Sequence, residues 1–308
     1  MRHCQGPSPD SPLPPADQPA FSLHAASASA VPVLVAVPHG GRASPPAVLA
    51  RMRQPEIAAL RLEDRLVDRL GEAVAAASGA ALLVAHAPRA LIDLNRGPED
   101  IDWTMFTPNP DRRGEGSARA RGGLGLVPRR LPGLGEIWRQ PATRAELEAR
   151  LATIHEPYHQ ALSHTLEHLR ARWGAAVLLD LHSMPPLPPR LDGPAAQLVL
   201  GDRFGASCHG ALVAGAFAQL SRGGWRLAHN RPYAGGYVLE RHGNPRGGIH
   251  AMQLEIDRAC YLDSRLVETG PGFAAMVAAL VGLVRRLGED VAGLGRRALG
   301  DGWAEAAE

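Results

Sequence analysis

Short apolar runs alternate with longer segments of helical periodicity along most of this chain, and this alternation limits the folds that it can adopt. Strands are predicted for VPVLVAV at residues 31–37, for 175–181 and for GGIHAMQLEID at 247–257. Helices are predicted over 55–78 and 143–174 from the spacing of their apolar residues. Strands that alternate with helices predict an α/β fold, with a mixed, mostly parallel sheet that carries helices on both faces.

One catalytic domain is predicted over residues 23–308, after a proline- and serine-rich tail at 1–22 that is expected to be disordered. Residues 97–141 are rich in glycine, proline and arginine, and we predict that they form a long inserted loop. RALIDL at 89–94 is interpreted as another short strand. In the long helix, Thr143 and Glu146 form a capping-box pattern, and Pro157 is expected to kink or split the helix.

Charge and cysteine content exclude several classes of function. A formal net charge of +2 is too small to favour binding to nucleic acid or to an anionic membrane surface. The three cysteines, Cys4, Cys208 and Cys260, are odd in number and lack C-x-x-C spacing, which favours a reducing compartment. No signal peptide and no membrane-spanning run is recognisable. We therefore predict a cytoplasmic protein that acts on a small molecule, with an oligomeric state that the sequence leaves open.

Polar residues end four of the apolar runs, at the position where α/β sheets place their binding sites. They are His39; Asp93, Asn95 and Arg96; Asp180, His182 and Ser183; and Gln253, Glu255 and Arg258. Two histidines with nearby carboxylates are typical donors of a mononuclear zinc site, in which three protein ligands leave one position open. For His182 alone, a loop histidine bonded to a carboxylate is the simpler interpretation. Because His39 has an equivalent setting, the metal interpretation is preferred.

Six motifs resemble the N-formylglutamate amidohydrolases, also called N-formylglutamate deformylases, and they occur in order from residue 31 to about 263. They are VPHGG, LIDLNRGP, HEPYHQAL, LLDLHSM, LVLGDRFGASC and the stretch from Asn230 to Arg258. The resemblance implies a fold similar to that of the zinc carboxypeptidases and hydrolysis of the formamide of N-formyl-L-glutamate. It also implies a place in histidine degradation and one Zn²⁺ per chain, with other divalent metals able to use the same donors.

The same resemblance implies roles for individual residues. His39 and His182 would be metal ligands, and Glu255 would be the general base that acts on a metal-bound water. An ion pair with Arg258 is the structural alternative for Glu255. Arg42 stands where carboxypeptidase-type sites carry the glutamate of H-x-x-E, so the third ligand must come from elsewhere. Asp64 is our first choice, and a solvated helix residue is the alternative interpretation for it.

The substrate has two carboxylates, for which the planar guanidinium of arginine is a suitable partner. Asn95 and Arg96 are the strongest candidates for substrate binding, and Arg89 and Arg246 are weaker ones. Tyr237 is predicted to cover the site, although a packed tyrosine is an equal alternative.

Three further residues are predicted to lie behind the ligands and the pocket: Asp180, Ser183 and His159. Asp180 would leave the same strand face as His182 and fix its tautomer. HEPYH at 155–159 matches a zinc-binding pattern, but Pro157 is expected to disrupt the turn that would bring the two imidazoles together. His164 and His168 are interpreted as an exposed helix face.

Two other functions fit the pattern less well. A carboxypeptidase-like or other N-acyl-amino-acid hydrolase would keep the metal site and differ in the pocket wall, which 97–141 would shape. A non-catalytic ligand-binding protein that has lost its metal is the alternative suggested by Arg42.

Overall fold

The structure is a computed structural model that describes residues 19–24, 29–108, 116–189 and 193–305. Its strands are β1 (Phe21–His24), β2 (Val33–Val37), β3 (Ala81–Ala85), β4 (Phe106–Thr107), β5 (Arg130–Leu131), β6 (Gly135–Glu136), β7 (Ala142–Thr143), β8 (Ala176–Met184), β9 (Leu198–Gly201), β10 (Leu227–His229) and β11 (Ile249–Asp257). The predicted disordered tail lies outside the described residues up to position 18, and β1 begins within its last two positions.

The helices complete the set of elements. The α-helices are α1 (Pro46–Ala50), α2 (Pro55–Leu62), α3 (Val67–Ser78), α4 (Ala118–Arg121), α5 (Arg144–Arg150), α6 (Glu156–Trp173), α7 (Gly210–Arg222), α8 (Tyr237–His242) and α9 (Phe273–Glu305). Short 3₁₀ helices lie at Trp103–Met105, Pro245–Gly247 and Arg258–Cys260, and a π-helical turn lies at Leu151–His155. No helix in the described part of the chain is long and apolar enough to cross a membrane.

The chain divides into two compact units. The first contains residues 1–22, 38–63 and 85–160, and the second contains 23–37, 64–84 and 161–308. In the described residues of the first unit, the segment predicted as a long loop carries α4 and the two-stranded pairing of β5 with β6. Its strand β4 pairs with β7, which follows the segment directly. A single catalytic domain over 23–308 stays a prediction.

A seven-stranded sheet has the order β1-β3-β2-β8-β11-β9-β10. The neighbouring pairs β3–β2, β2–β8, β8–β11 and β9–β10 are parallel, and β11–β9 is antiparallel. Every residue of β8 and β11 is buried, as is typical of parallel strands that are covered on both faces. The predicted mixed, mostly parallel α/β architecture is confirmed.

Helices α3, α7 and α9 pack against one apolar cluster in the second unit. Val35, Leu179 and Leu254 contribute to it from β2, β8 and β11, and Leu70 and Leu283 contribute from α3 and α9. Burial of such side chains stabilises a fold by about 1.5–3 kcal/mol each. This core holds the central strands rigidly, and the polar residues at the carboxyl ends of β8 and β11 are therefore held in place as well.

The predicted helix over 55–78 is wrong in one respect, because it is interrupted between Leu62 and Val67. Leu66 has a left-handed backbone at φ 56°. Glu63 and Asp64, both buried, lie in this interruption. Glu63 forms an ion pair with Arg42, and Asp64 is hydrogen-bonded to His182. On a solvated face of a continuous helix, neither carboxylate would be buried beside its partner.

RALIDL was also predicted incorrectly, because residues 89–94 form turns and no strand. The buried carboxylate of Asp93 organises this segment by accepting the backbone N–H of Asn95 at 2.8 Å. The backbone N–H of Asp93 in turn donates to the Leu126 carbonyl at 2.7 Å. The Asp93 carboxylate thus accepts a backbone N–H within the segment, which in a strand would be paired with a neighbouring strand.

The capping box at Thr143 and Glu146 is confirmed, and α5 begins there. The predicted interruption of this helix is a π-helical turn just before Pro157, after which α6 continues to Trp173. His164 and His168 are exposed on α6, as predicted.

Candidate metal and substrate site

The carboxyl end of β8 places His182 between two carboxylates. Its Nε2 lies 2.9 Å from Asp180 Oδ2, and its Nδ1 lies 2.9 Å from Asp64 Oδ2. Asp180 and His182 share a strand face because side chains alternate along β8. Both acids are buried, as is the imidazole. The predicted pairing of Asp180 with His182 is therefore present, and Asp64 lies at the other ring nitrogen.

These two carboxylates determine the protonation of His182. Burial opposes a charged imidazolium, but the negative charges of Asp180 and Asp64 outweigh burial and raise the pKa of His182 well above its ordinary value. Ionised carboxylates only accept hydrogen bonds, so each ring nitrogen donates one.

Glu255 is the direct neighbour of His182 on the adjacent strand. In the parallel register of β11 with β8, Glu255 pairs with His182 and Gln253 pairs with Asp180. Adjacent strands lie about 4.8 Å apart, and paired residues of parallel strands project from the same face. Gln253 Nε2 donates to Glu255 Oε1 at 2.9 Å. The Glu255 carboxylate is buried, and Gln253 holds one of its oxygens.

His39 follows the end of β2 and is held by a separate set of bonds. Its Nε2 donates to Asp93 Oδ1 at 2.8 Å, and Arg89 Nε donates to Asp93 Oδ2 at 2.9 Å. Burial would raise the pKa of Asp93, but the charges of Arg89, His39 and Arg96 hold it well below its usual range. An ionised Asp93 therefore fixes the ring orientation of His39.

Position 41, directly after His39-Gly40, requires glycine for a steric reason. A Cβ at Gly41 would lie 2.3 Å from the Ala87 carbonyl oxygen and 2.5 Å from that of His86. Only glycine allows the backbone to pass this close. The H-G-G sequence thus sets the sharp turn that carries His39.

Three of the predicted donors form a group. His39, Asp64 and His182 are buried and each offers one ligand atom, and these atoms lie within 4.8 Å of one another. Two imidazole nitrogens and one carboxylate oxygen are the donor set of many catalytic zinc sites. In both histidines a carboxylate lies at Nε2, and in His182 the carboxylate of Asp64 lies at Nδ1. By their chemistry, the three residues could hold a metal ion.

Arg42 does not remove a metal donor. Its Nη1 lies 3.2 Å from Glu63 Oε1, so the residue at the last position of the H-x-x-E pattern forms an ion pair. The neighbouring residue Asp64 supplies the carboxylate beside His182. Arg42, the feature that suggested a protein without metal, therefore forms an ion pair with Glu63.

Asn95 and Arg96 lie in the turn that follows Asp93, and both are buried. Arg96 Nε donates to the Leu124 carbonyl at 3.1 Å, and its Nη1 donates to the Asn95 carbonyl at 2.7 Å. Burial lowers the pKa of Arg96 from its ordinary value, against the attraction of Asp93. A guanidinium with a fixed plane and little water around it suits a carboxylate ligand.

The other predicted residues have different surroundings. Arg89 binds Asp93 through Nε and Nη2, so its guanidinium supports His39 indirectly. Arg246 is exposed just before β11, about 20 Å along that strand from Glu255, and the structure does not bring it to this residue. The Tyr237 hydroxyl accepts a bond from Arg241 at 2.9 Å. Its role over substrate stays a prediction.

Ser183 and His159 are both buried. Ser183 Oγ accepts a bond from Arg258 Nε at 3.0 Å, and Arg258 Nη2 lies 3.8 Å from Asp64 Oδ1. Arg258 therefore links Ser183 to Asp64 by a hydrogen bond to the first and an ion pair with the second. The His159 ring lies 4.4 Å from that of His155 between centroids.

Asp93 is the residue whose role sequence reasoning missed, although it was noted among the polar residues at strand ends. It is 54 positions from His39, so no local spacing reveals their bond. The available signal was the buried apolar context of LIDL, since a carboxylate in such a context needs a cationic or donor partner.

Replacing Asp180 with asparagine is expected to weaken metal binding about 10–100-fold, because the acceptor that orients His182 would lose its charge. Affinity is measured by zinc titration against a competing chelator. Asp202→Asn is the matched control, because Asp202 is also a buried aspartate bonded to a histidine, His229. Equal affinities for Asp180→Asn and the wild type would contradict a supporting role for Asp180.

Comparison with known proteins adds independent findings. The model of the N-formylglutamate amidohydrolase family matches residues 31–262. The chain is 33% identical over 241 residues to the N-formylglutamate deformylase of Pseudomonas aeruginosa, covering 76% of this chain and 84% of that protein. It is 30% identical over 239 residues to that of Pseudomonas putida, covering 76% and 82%. A crystal structure of N-formylglutamate amidohydrolase from Ralstonia eutropha JMP134 superposes with a TM-score of 0.78 at 33% identity, covering 88% of this chain and 98% of that one.

Proposed function

This chain belongs to the N-formylglutamate amidohydrolase family, and on that premise we propose that it hydrolyses N-formyl-L-glutamate to formate and L-glutamate. The observation that carries the proposal is the register of β8 with β11, which sets the buried carboxylate of Glu255 beside His182. A buried acid next to a histidine that has the donors of a metal site is the arrangement that amide hydrolysis by water needs.

His39, Asp64 and His182 are the residues that would hold the metal, with zinc as the first expectation. The support is their donor chemistry, their burial and their mutual proximity. A zinc ion bound there would polarise the formyl oxygen and lower the pKa of a bound water to about 7. Nδ1 of His182 must lose its proton before it can serve as a ligand, so metal uptake is favoured as the pH rises.

Glu255 is proposed as the general base and then the general acid. It would accept the proton of the attacking water and deliver it to the leaving nitrogen of glutamate, which must depart as a neutral amine. The bond from Gln253 Nε2 to Glu255 Oε1 at 2.9 Å fixes one carboxylate oxygen.

Arg96 and Asn95 are proposed to bind a carboxylate of the substrate. Two bonds to carbonyl groups hold the guanidinium of Arg96 in one plane, and Nη2 with the second N–H of Nη1 is the edge we assign to the substrate. An ion pair with a charged ligand is stronger in a site from which water is largely excluded. The proposal also places this enzyme in histidine degradation in the cytoplasm, which the family resemblance and the odd number of cysteines support.

A panel of substrates tests the proposed function. We expect formate release from N-formyl-L-glutamate to exceed hydrolysis of the N-acetyl and N-succinyl analogues and of a short peptide, measured as kcat/KM. About one zinc per chain is expected in the purified protein by elemental analysis. Preference for a peptide would indicate a carboxypeptidase-like enzyme. A protein that holds no metal and gains no activity when metal is added would indicate a binding protein.

A further inference from the structure

The turn at residues 91–96, called the substrate turn below, is held from behind by the helix that follows in the same unit. Arg150 Nη1 donates to the Leu91 carbonyl at 3.0 Å, and His155 Nε2 donates to the Arg96 carbonyl at 2.9 Å. These two carbonyls lie at the first and last residues of the turn. Between them stand Asp93, Asn95 and the Arg96 side chain.

Both donors are unusual for their positions. Arg150 is 2% exposed and His155 is 0% exposed. A buried arginine is rare because removal of its charge from water is unfavourable, and burial lowers the pKa of Arg150 to about 10. A role in packing alone would be served better by an apolar side chain. Arg150 and His155 each donate a hydrogen bond to a carbonyl of the substrate turn, and this explains why a polar residue occupies each position.

The π-helical turn accounts for the fact that both residues reach the same segment. In a regular α-helix two residues five apart are about 140° apart around the axis, so they would face different directions. In a turn closed by i→i+5 bonds, residues 150 and 155 lie on about the same side. Leu151–His155 forms such a turn directly after α5. Without it, Arg150 and His155 could not both face the substrate turn.

Pro157 gives the sequence reason for the wide turn. A proline inside a regular α-helix clashes with the carbonyl of the residue four positions before it, here Thr153. Widening of the preceding turn moves that carbonyl away from the ring, so the helix continues into α6. Pro157, which argues against a zinc-binding H-E-x-x-H helix, thus accompanies a different arrangement of the two histidines. The ring of His159 packs against that of His155 with an angle of 52° between the ring planes.

We propose that Arg150 and His155 are positioning residues for substrate recognition, which hold the substrate turn so that Arg96 presents its guanidinium edge to the substrate carboxylate. This rests on the proposed carboxylate role of Arg96. Neither residue touches the reacting atoms in this account. Loss of either bond therefore weakens binding of ground state and transition state alike, which raises KM and leaves kcat unchanged.

Two variants of one residue separate positioning from packing. Glutamine places its amide N–H near the position of Nε2, whereas asparagine places it near Nδ1 and falls short of the Arg96 carbonyl. We expect His155→Asn to raise KM for N-formyl-L-glutamate about tenfold, and His155→Gln to stay within about threefold of wild type. Expected kcat and zinc content are unchanged in both. The matched control is His164→Asn on the exposed face of α6, for which KM is expected to be that of the wild type.

Arg150→Lys tests the other bond with the positive charge retained, and we expect a similar increase in KM. Equal KM values for His155→Asn and His155→Gln, or a fall in kcat at constant KM, would overturn the positioning role of His155. An unchanged KM for Arg150→Lys would overturn that of Arg150. If the lysine variant does not fold, the two His155 variants decide.

Binding of L-glutamate, measured by calorimetry, separates this inference from the proposed reaction. Suppose the wild type binds L-glutamate but releases no formate. The reaction is then wrong, and weaker binding by His155→Asn than by His155→Gln still supports the positioning role. A wild type that neither binds L-glutamate nor turns over the formyl compound would overturn both.

Discussion

Glu255→Gln is expected to reduce formate release about 10²–10⁴-fold while about one zinc per chain remains bound. Glutamine has nearly the same shape and can still interact with Gln253, but its amide cannot accept the proton of water. His182, the residue paired with it across the strands, keeps its bonds to Asp180 and Asp64. The expected result is a folded, metal-loaded protein without turnover.

Three measurements on the same preparation check this result: formate release, zinc content and thermal unfolding. Asp257→Asn is the matched control, because Asp257 projects from the same face of β11 two residues later and caps the helix at Arg258–Cys260. Its amide oxygen can still accept the bond from Ala259 N. Activity within about tenfold of wild type in Glu255→Gln, with zinc bound, would remove Glu255 from the role of general base.

Asp64→Ala is expected to lose the metal and, with it, nearly all activity. Asp64 is the one carboxylate in the group with His39 and His182, and its oxygen already lies 2.9 Å from His182 Nδ1. Asp64→Ala removes a proposed metal ligand, whereas Asp180→Asn only disturbs the orientation of the ligand His182. The fall in zinc affinity is therefore expected to exceed the roughly 10–100-fold effect of a residue behind a ligand.

The adjacent residue supplies the control for this prediction. Glu63 is also buried and also lies in the interruption between α2 and α3, but its partner is Arg42. We expect Glu63→Gln to keep about one zinc per chain after dialysis against a weak chelator, and Asp64→Ala to lose it. Retention of zinc by Asp64→Ala would show that the third ligand is another residue, and loss by both variants would indicate disruption of the whole segment.

Much of the fold follows from local patterns in the sequence. The apolar runs of β2, β8 and β11 and the capping box of α5 were assigned correctly, because periodicity and capping depend on residues close together in the chain. The same is true of the polar residues that end these strands. Asp180 and His182 share a face for a purely local reason, the alternation of side chains along a strand.

Errors arose where a buried charge took a distant partner. A helix was predicted through Asp64, but the chain is interrupted there, and the partner of Asp64 is 118 positions away at His182. A strand was predicted through Asp93, which instead organises a turn and holds His39 from 54 positions away. Propensity and periodicity hold no information on these partners.

Patterns of neighbouring residues are enough to predict the class of fold and the polar residues that end its strands. Which carboxylate bonds each histidine is visible only in the three-dimensional structure. The same holds for the π-helical turn that directs Arg150 and His155 to one segment. The physical reason is that a buried charge is stable only beside a partner. That requirement outweighs the local preference of a few residues, and only the folded chain shows where the partner is.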